Sequence, residues 1–315
     1  MSILVVGSVA FDTIETPHGK RERCLGGAAT HFALAASFFT DVRVIGVVGD
    51  DFGVTEEAVF AKRGIDITGI EHIPGGKSFH WKGSYEGALN EAKTLATDLN
   101  VFADFSPKIP EAYRDSEYLF LANIDPVLQA RVRTGMPDVR MVAGDTMNYW
   151  IADHRENLLK TLAMLDTLII NDGEARMLSG EHNLVKAAQA VMNLGPKSLV
   201  IKHGEYGATA FFCERSFAGA PKDVKPFRAP ALPIEEVVDP TGAGDSFAGG
   251  FYGYLASQKE LTPAVFRTAL FYGGVMGSFC VEKFGTERLQ NTTREEIEER
   301  FELFREISHL DFQIQ

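Results

Sequence analysis

The sequence has little of what marks several other classes of protein. Its three cysteines, Cys24, Cys213 and Cys280, are far apart and odd in number, which argues against a disulfide framework or a Cys-x-x-Cys zinc site. No basic run interrupts a chain of net charge −12, so neither nucleic acid nor an anionic membrane surface is an expected partner. Since no apolar stretch reaches about 18 residues, no membrane span is expected either.

The start of the chain lacks two further signals. Residues 1–8 carry no basic segment and only a short apolar run, which predicts a first β-strand rather than a signal peptide, and therefore a cytoplasmic protein. No Gly-x-Gly-x-x-Gly follows that strand, which argues against a dinucleotide-dependent dehydrogenase. The 315 residues are 45% hydrophobic, which is enough for a sizeable core.

Short apolar runs alternate with helical patterns along the chain. Buried strands are predicted at residues 3–6, 42–48, 118–121, 140–143, 167–170 and 198–202. Helices are predicted at residues 28–39, 55–63, 126–133, 155–165, 172–179 and 184–193, and in the last third at 245–257, 263–281 and 294–306. Strands that are buried on both faces and alternate with helices favour a doubly wound α/β fold.

Two segments, residues 13–24 and 78–99, break this alternation. In the second, Phe79, Trp81 and Tyr85 share one side of an alternating pattern, which predicts strands with one apolar face. An ordinary edge hairpin would explain the same pattern. The apolar face also suggests homodimerisation through this segment.

Residues 239–251 carry the most information about function. A turn leads to Gly242 and Gly244, and a helix pattern starts at Asp245. Two glycines at a helix start let backbone N–H groups approach an anion, and the helix dipole favours negative charge there. A carboxylate in the first turn suits a reaction in which a hydroxyl loses its proton while it attacks a phosphoryl group. The same dipole is expected to keep the pKa of Asp245 low.

A turn and a helix cap would explain Gly-x-Gly-Asp alone, but the whole string resembles the second signature of the ribokinase-like (PfkB) carbohydrate kinases. That resemblance implies that Asp245 is the catalytic base and that Gly242, Ala243 and Gly244 form an anion hole. It also implies ATP and Mg²⁺, with a monovalent cation such as K⁺ as a further candidate ligand.

A second group of residues lies near the N-terminus. Asp12 follows the first strand, at the edge where open α/β sheets bind ligands, and Gly26 and Gly27 open the next helix. A turn and a plain helix start would explain these residues equally well. Together they resemble the first signature of the family, which implies that they bind the phosphate acceptor.

This first signature departs from the ribokinase pattern at three positions. Ala10, Ala28 and His31 stand where ribokinase-type members have Asn, Lys and Asn. These changes argue against ribose as acceptor and select no other molecule. His31 is either a substrate contact or a helix residue packed under the lid.

The resemblance also assigns residues to the nucleotide and the metal. Asn171 and Glu174 match the Asn-x-x-Glu motif of the magnesium and phosphate environment, although the same spacing is a helix capping box. Six residues are implied to lie along the nucleotide: Lys202, Gly204, Gly207, Thr241, Met276 and Gly285.

Two remaining candidates are substrate contacts. Asn148 ends the segment 145–148, which follows a predicted strand. A substrate or magnesium contact is expected from this segment, and a turn would also explain it. Trp81 could stack on a sugar or a base, or pack in a dimer interface.

The resemblance spans most of the chain and implies a three-layer α/β/α ribokinase-like sandwich with a mostly parallel sheet. Residues 1–315 are expected to form one kinase domain, with a small β-sheet lid inserted at about residues 13–24 and 78–99. The expected activity is ATP-dependent phosphorylation of a hydroxyl on a small sugar, polyol or nucleoside. The alternative is a non-catalytic sugar- or nucleoside-binding regulatory protein on the same fold.

Overall fold

The computed structural model describes residues 1–213 and 224–308. In these ranges the chain forms thirteen β-strands, in two sheets. They are β1 (Ser2–Val6), β2 (Ala10–Thr16), β3 (Gly19–Gly26), β4 (Asp41–Gly49), β5 (Asp66–Ile73), β6 (Phe79–Tyr85), β7 (Ala92–Asp98), β8 (Tyr118–Leu121), β9 (Met141–Gly144), β10 (Thr167–Asn171), β11 (Ser198–Lys202), β12 (Ala208–Cys213) and β13 (Val224–Ala229).

Nine of these strands make the main sheet, in the order β13-β12-β11-β10-β9-β8-β1-β4-β5. The strands from β11 to β5 are parallel, whereas β12 and β13 pair antiparallel at one edge. The parallel strands inside the sheet are almost wholly buried, as β1 and β8 illustrate, whereas β5 at the edge is mostly not. Parallel strands need crossover connections, and these carry the helices onto both faces of the sheet.

Eleven α-helices lie in the described ranges. They are α1 (Ala28–Ala36), α2 (Val54–Lys62), α3 (Pro126–Gly135), α4 (Asn148–Asp153), α5 (Arg155–Leu162), α6 (Asp172–Ser179), α7 (Leu184–Met192), α8 (Ala243–Ser257), α9 (Pro263–Cys280), α10 (Glu287–Asn291) and α11 (Arg294–Ser308). None of the helices in the described chain is long and apolar enough to span a membrane.

Alternating side chains of the sheet build two separate cores. Ile3 and Val5 of β1 pack with α1, α8 and α9 on one face, and Leu4 and Val6 pack with α3, α5, α6 and α7 on the other. This period-two alternation is what a strand with two buried faces requires. The expected three-layer α/β/α sandwich is therefore confirmed.

The other four strands form a small separate sheet, in the order β3-β2-β6-β7. It draws β2 and β3 from the segment after β1 and draws β6 and β7 from the segment after β5. Its first part begins at Ala10 and ends at Gly26 and is therefore wider than the predicted 13–24. Strand β2 starts soon after β1 ends, and β3 runs almost to the start of α1. Strand β7 is exposed along its whole length.

All six predicted strands and all nine predicted helices are present, with ends shifted by a few residues. The sequence analysis missed β5 and β13, which lie at the two edges of the main sheet and are less uniformly apolar. It also missed α4 and α10, which have six and five residues. Helices of one to two turns are too short to show a clear hydrophobic period.

Candidate active site

The start of α8 forms a glycine-lined turn. The helix begins at Ala243, two residues before the predicted start, so Asp245 is its third residue. Gly242 has φ of +74°, and a Cβ there would lie 2.3 Å from the ring of His31. A Cβ on Gly244 would lie 2.6 Å from Nζ of Lys202. The packing of the turn therefore requires glycine at position 242, whereas at position 244 the end of the flexible Lys202 side chain could move aside.

The N–H groups of this turn are partly used by the fold. Ala243 donates to the carbonyl oxygen of Pro240 at 3.1 Å. First-turn N–H groups have no acceptor within their own helix. Within the part of the chain that the structure describes, the N–H groups of Gly242 and Gly244 have no acceptor, whereas the N–H of Ala243, predicted to join the anion hole, is already bonded.

Asp239 holds the turn in place. Its side chain is fully buried and accepts the N–H of Thr241 and the N–H of Gly285, both at 2.8 Å. Gly285 has φ of +56°, a conformation that favours glycine. Asp239 therefore ties the predicted residues Thr241 and Gly285 into one structural unit. Sequence analysis gave Asp239 no role, although it is the first residue of the motif.

Four ionisable side chains converge beside this turn: Asp145, Glu174, Lys202 and Asp245. Burial raises the pKa of Asp145 well above its usual range, and the charge of Asp245 adds to the effect. Burial also raises the pKa of Glu174, while Lys202 opposes it. Three carboxyl groups and one ammonium group thus share a site with excess negative charge. The carboxyl groups of Asp145, Glu174 and Asp245 are called the acidic group below.

Asp245 itself does not have the low pKa that its helix position suggests. Part of its surface stays open, but its carboxyl group is densely surrounded by protein, and this burial raises the pKa to about 6. Lys202 and the backbone N–H of Asp245 lower the pKa without offsetting burial. The predicted low pKa is wrong, because a helix dipole contributes less than the loss of hydration of a buried carboxylate.

The predicted capping box at the start of α6 is confirmed. The N–H of Glu174 donates to Oδ1 of Asn171 at 2.7 Å, and the N–H of Asn171 donates to Oε2 of Glu174 at 2.8 Å. This reciprocal pair fixes the Glu174 carboxylate at the edge of the acidic group.

The residues predicted to bind the phosphate acceptor, Asp12, Gly26 and Gly27, lie between β2, β3 and α1. Asp12 is 5% exposed, and a Cβ on Gly26 would lie 1.9 Å from its Oδ2. Gly27 has φ of +95°, and a Cβ there would meet the Ser8 carbonyl oxygen at 2.4 Å. These glycines make room for the Asp12 carboxylate and for the turn into α1.

The electrostatics connect Asp12 to the turn before α8. Burial raises the pKa of Asp12 to about 7, and the charges of Asp239 and Asp245 raise it further, against the N–H of Gly27. The two signature motifs, separated by more than 200 residues in sequence, therefore face one site.

His31 packs directly beneath Gly242. It is 1% exposed, and burial lowers its pKa to about 4, so the ring is neutral. Within the described part of the chain, its Nε2 has no hydrogen-bond partner, and its Nδ1 lies 3.8 Å from Sγ of Cys280. His31 is therefore a packed helix residue, but its neighbour is the turn before α8 rather than the small sheet.

The Gly204–Gly207 turn lies at the end of β11, next to the small sheet. Gly204 has φ of +56° and Gly207 has φ of +91°. The N–H of His203 donates to Gly207 O at 2.8 Å and closes the turn. A Cβ on Gly204 would lie 3.0 Å from Oδ1 of Asn90, so the loop between β6 and β7 reaches this turn.

Three predicted residues are placed differently from expectation. Met276 is completely buried and packs on Gly250 between α8 and α9, so the expected nucleotide contact is corrected to a core position. Asn148 is exposed at the start of α4, while Asp145, directly after β9, enters the site. Trp81 donates to Oγ1 of Thr94 at 3.3 Å and covers Gly83.

The small sheet touches the turn before α8 through Tyr85. Thr241 Oγ1 donates to the Tyr85 hydroxyl at 3.2 Å, and Tyr85 is 9% exposed. Thr16 Oγ1 donates to Val238 O at 2.9 Å on the same side. Sequence analysis used Tyr85 only as part of an apolar face and had no signal for this polar contact.

Comparison with known proteins identifies the family and the fold. Residues 2–293 match the family described as pfkB family carbohydrate kinase. The cytidine kinase of Thermococcus kodakarensis is 30% identical over 274 residues, which cover 84% of this chain and 92% of that protein.

Two solved structures have the same fold. The Burkholderia thailandensis nucleoside kinase in complex with inosine gives a TM-score of 0.73 at 22% identity and covers 96% of this chain and 98% of that one. The Salmonella enterica aminoimidazole riboside kinase, complexed with aminoimidazole riboside and an ATP analogue, gives 0.73 at 19% identity and covers 96% and 100%. On the family match and the relative at 30% identity, this chain belongs to the pfkB family of carbohydrate kinases.

Proposed function

We propose that this chain transfers the γ-phosphoryl group of ATP to a ribose hydroxyl of a nucleoside. One observation carries the proposal: the open N–H groups at the start of α8, the Asp245 carboxylate and the Asp12 carboxylate belong to one site. A phosphoryl acceptor and a phosphoryl donor can meet there.

In this mechanism Asp12 orients the acceptor and Asp245 receives its proton. A carboxylate accepts hydrogen bonds from sugar hydroxyls. The acceptor oxygen forms a bond to the γ-phosphorus, the bond from the γ-phosphorus to the β–γ bridging oxygen breaks, ADP leaves, and the hydroxyl proton passes to Asp245. With a pKa of about 6, Asp245 is mostly ionised at neutral pH and still basic enough for that transfer.

The start of α8 stabilises the charge on the transferring group. The N–H groups of Gly242 and Gly244 lie at the start of α8, where the positive end of the helix dipole favours an anion. Lys202, whose ammonium group lies against Gly244, adds a full positive charge. Preorganised donors of this kind stabilise a transition state because they need no rearrangement.

The acidic group fits a magnesium ion bound with nucleotide. Asp145 has a buried Oδ1 without a hydrogen-bond partner in the described chain, and Glu174 lies beside it with Asn171. Within residues 1–213 and 224–308, no three His, Cys, Asp or Glu side chains are placed to hold a metal ion by themselves, so the ion would also need water and phosphate oxygens as ligands. When bound, the ion would neutralise phosphate charge; Asp145 and Glu174 would hold it.

The nucleotide is proposed to lie along Gly204 and Gly207, with Thr241 and Gly285 on the other side. Gly204 and Gly207 have positive φ and no side chains, so a ligand can approach the backbone at these two positions. Lys202, at the end of β11, would then lie between the nucleotide phosphates and the start of α8.

The choice of a nucleoside rests on the relatives. A cytidine kinase is 30% identical to this chain, and a Methanothermobacter nucleoside kinase is 27% identical over 90% of it. His31, whose Nε2 has no partner in the described chain, and Asp12 are the proposed polar contacts, and Asn148, exposed at the start of α4, stays a candidate.

The test is ADP release with Mg²⁺ and ATP against cytidine, inosine, aminoimidazole riboside and ribose. The expected result is strong turnover with at least one nucleoside and little with ribose. Stabilisation of the protein by a nucleoside without ADP release would instead favour the non-catalytic binding alternative.

The small sheet is proposed to be a lid inserted in a single kinase domain. It also supplies the surface for the proposed homodimer, since β7 is an exposed edge strand and Leu95 is 45% exposed. Light scattering at micromolar concentration tests this, and a monomer would contradict it. Activation by K⁺ and a cytoplasmic location stay predictions.

A further inference from the structure

One carboxylate outside the acidic group joins the main sheet to the small sheet. Asp51 lies in the loop between β4 and α2. Its Oδ1 accepts the N–H and the hydroxyl of Ser78, both at 2.7 Å. Ser78 is the residue directly before β6 and is 1% exposed. Its Oγ also accepts the N–H of Gly49 at 3.0 Å, so the start of β6 is held from two sides.

Asp51 also contacts β3, which is an edge strand of the small sheet. Nη1 of Arg23, in β3, lies 3.4 Å from Oδ2 of Asp51, and Nη2 of Arg23 donates to the backbone carbonyl oxygen of Asp51. The guanidinium group also lies 3.8 Å from the centre of the Phe11 ring, a cation–π contact. Asp51 therefore contacts both the start of β6 and the outer strand β3.

The chain that leaves the small sheet is tied to the same point. Nδ2 of Asn100, just after β7, donates to the carbonyl oxygen of Ser78 at 2.9 Å, and the N–H of Val101 donates to Lys77 O at 3.1 Å. Any movement at Ser78 is thus shared by the segments on both sides of the β6–β7 hairpin.

Two residues at this junction have unusual backbone conformations. Arg23 has φ of +57° and Asn100 has φ of +49°, a region that residues other than glycine adopt rarely. Such conformations persist where surrounding contacts impose them. Here the contacts that impose them include the bonds to Asp51 and Ser78.

The charge state of Asp51 agrees with these contacts. Partial burial raises its pKa, but the hydrogen bonds from Ser78 and the charge of Arg23 more than offset this, and the pKa lies below its usual value. Asp51 is therefore ionised at neutral pH, and its bonds to Ser78 and Arg23 are charge-assisted.

We propose that Asp51 is a positioning residue that holds the small sheet closed over the acceptor site, through Ser78 and Arg23, without touching substrate. The inference rests on the proposed function. The far end of the same sheet contacts the active-site turn through Tyr85 and Thr241. How closely Tyr85 approaches the turn depends on how Ser78, at the start of β6, is fixed. If the small sheet opens, acceptor binding weakens more than the reaction of bound substrate slows.

The test compares Asp51→Ala and Asp51→Asn with Asp50→Ala, a matched control. Asp50 is the neighbouring acid, and its carboxylate accepts the N–H of Gly75 at 2.6 Å rather than a residue of the small sheet. With cytidine as acceptor, Asp51→Ala is expected to raise the acceptor KM about tenfold, the size of losing hydrogen bonds to a charged group. The KM for ATP should stay close to the wild-type value.

Hydrogen exchange provides a readout that does not depend on activity. In Asp51→Ala, amides of residues 79–98 should exchange about tenfold faster, whereas those of the main sheet stay unchanged. Asp51→Asn should be intermediate, because its side-chain oxygen still accepts from Ser78 but no longer pairs with Arg23. Adding Arg23→Ala to Asp51→Ala should add less than the effect of Arg23→Ala alone, since both remove the Arg23–Asp51 ion pair, but it should add something, because Arg23 also bonds to the backbone carbonyl oxygen of Asp51 and lies over Phe11.

Unchanged exchange at residues 79–98 in Asp51→Ala would overturn the proposal. So would faster exchange in both sheets together with equal losses for ATP and acceptor, because that pattern shows general destabilisation. If the wild-type chain phosphorylates none of the nucleosides, the proposed function fails, and the exchange comparison still decides whether Asp51 holds the small sheet.

Discussion

Replacing Asp245 by Asn should slow turnover and stabilise the fold. The slower reaction follows from losing the proton acceptor, a change of roughly two to four orders of magnitude. The gain in stability follows from burial, which raises the pKa of Asp245 from its ordinary value of 3.8 to about 6. A buried carboxyl group that must ionise to work destabilises the folded state.

The sign and the size follow from proton linkage. Between pH 3.8 and about 6 the folded protein binds more protons at Asp245 than the unfolded chain, so stability falls as pH rises through this window. A shift of about two pKa units corresponds to about 3 kcal/mol above the folded pKa. With an unfolding entropy of roughly 2 cal/mol/K per residue, this becomes about 4–5 °C in Tm for a chain of this length.

The assay is thermal unfolding of wild type and Asp245→Asn at a series of pH values from about 4 to 8. The Tm difference should be small near pH 4, grow toward pH 6 and level off above it. Glu295→Gln is the control, because it removes an exposed acid from the first turn of another helix and should show no such growth. A constant or negative difference for Asp245→Asn would refute the burial argument, and near-normal turnover would refute its role as base.

Three further changes test the rest of the site. Gly26→Ala places a Cβ 1.9 Å from Oδ2 of Asp12, so the acceptor KM should rise at least about tenfold while ATP binding, measured by calorimetry, is kept. Lys202→Met removes the positive charge beside Gly244 and should lower kcat by about a hundredfold, with a further rise in the pKa of Asp245 that shifts the rising limb of the pH–rate profile upward. Glu174→Gln should raise the Mg²⁺ concentration needed for half-maximal rate, measured by titration at fixed ATP, while the capping hydrogen bonds largely remain.

Each of these has an outcome that would contradict it. Equal losses of acceptor and ATP affinity in Gly26→Ala would indicate misfolding rather than a displaced Asp12. An unchanged pH–rate profile in Lys202→Met would mean that its charge does not act on Asp245. An unchanged Mg²⁺ requirement in Glu174→Gln would remove Glu174 from the proposed metal site.

Sequence reasoning worked best where the signal is local. Buried strands such as β1 and helices such as α6 have hydrophobic periods and caps that do not depend on distant residues. The glycine turn at residues 242–244 could be recognised because a close approach of the backbone to an anion requires glycine in any surroundings. Edge strands and helices of five or six residues carry too little pattern, and β5, β13, α4 and α10 were missed for that reason.

The chemical state of the site could not be predicted from the sequence. The pKa of Asp245 was expected to be low from its helix position, and the prediction failed because burial depends on what the rest of the chain places around it. The segment 145–148 was offered as a substrate or magnesium contact or a turn, and Asp239 only as part of a turn. Their neighbours in the fold show that Asp145 joins the acidic group and that Asp239 holds the turn before α8. Met276 was assigned to the nucleotide from its place in α9, but the face it presents is set by the packing of α9 on α8.

The sequence by itself therefore determined the layered α/β architecture, the place of the glycine turn and the kinase family, because propensity, hydrophobic period and glycine geometry act over a few residues. The tertiary structure alone decided which carboxylates meet, how far burial shifts their pKa values, and how Asp51 joins the two sheets. These properties depend on distances between residues far apart in the chain and on the exclusion of water, and neither is written in any local stretch of sequence.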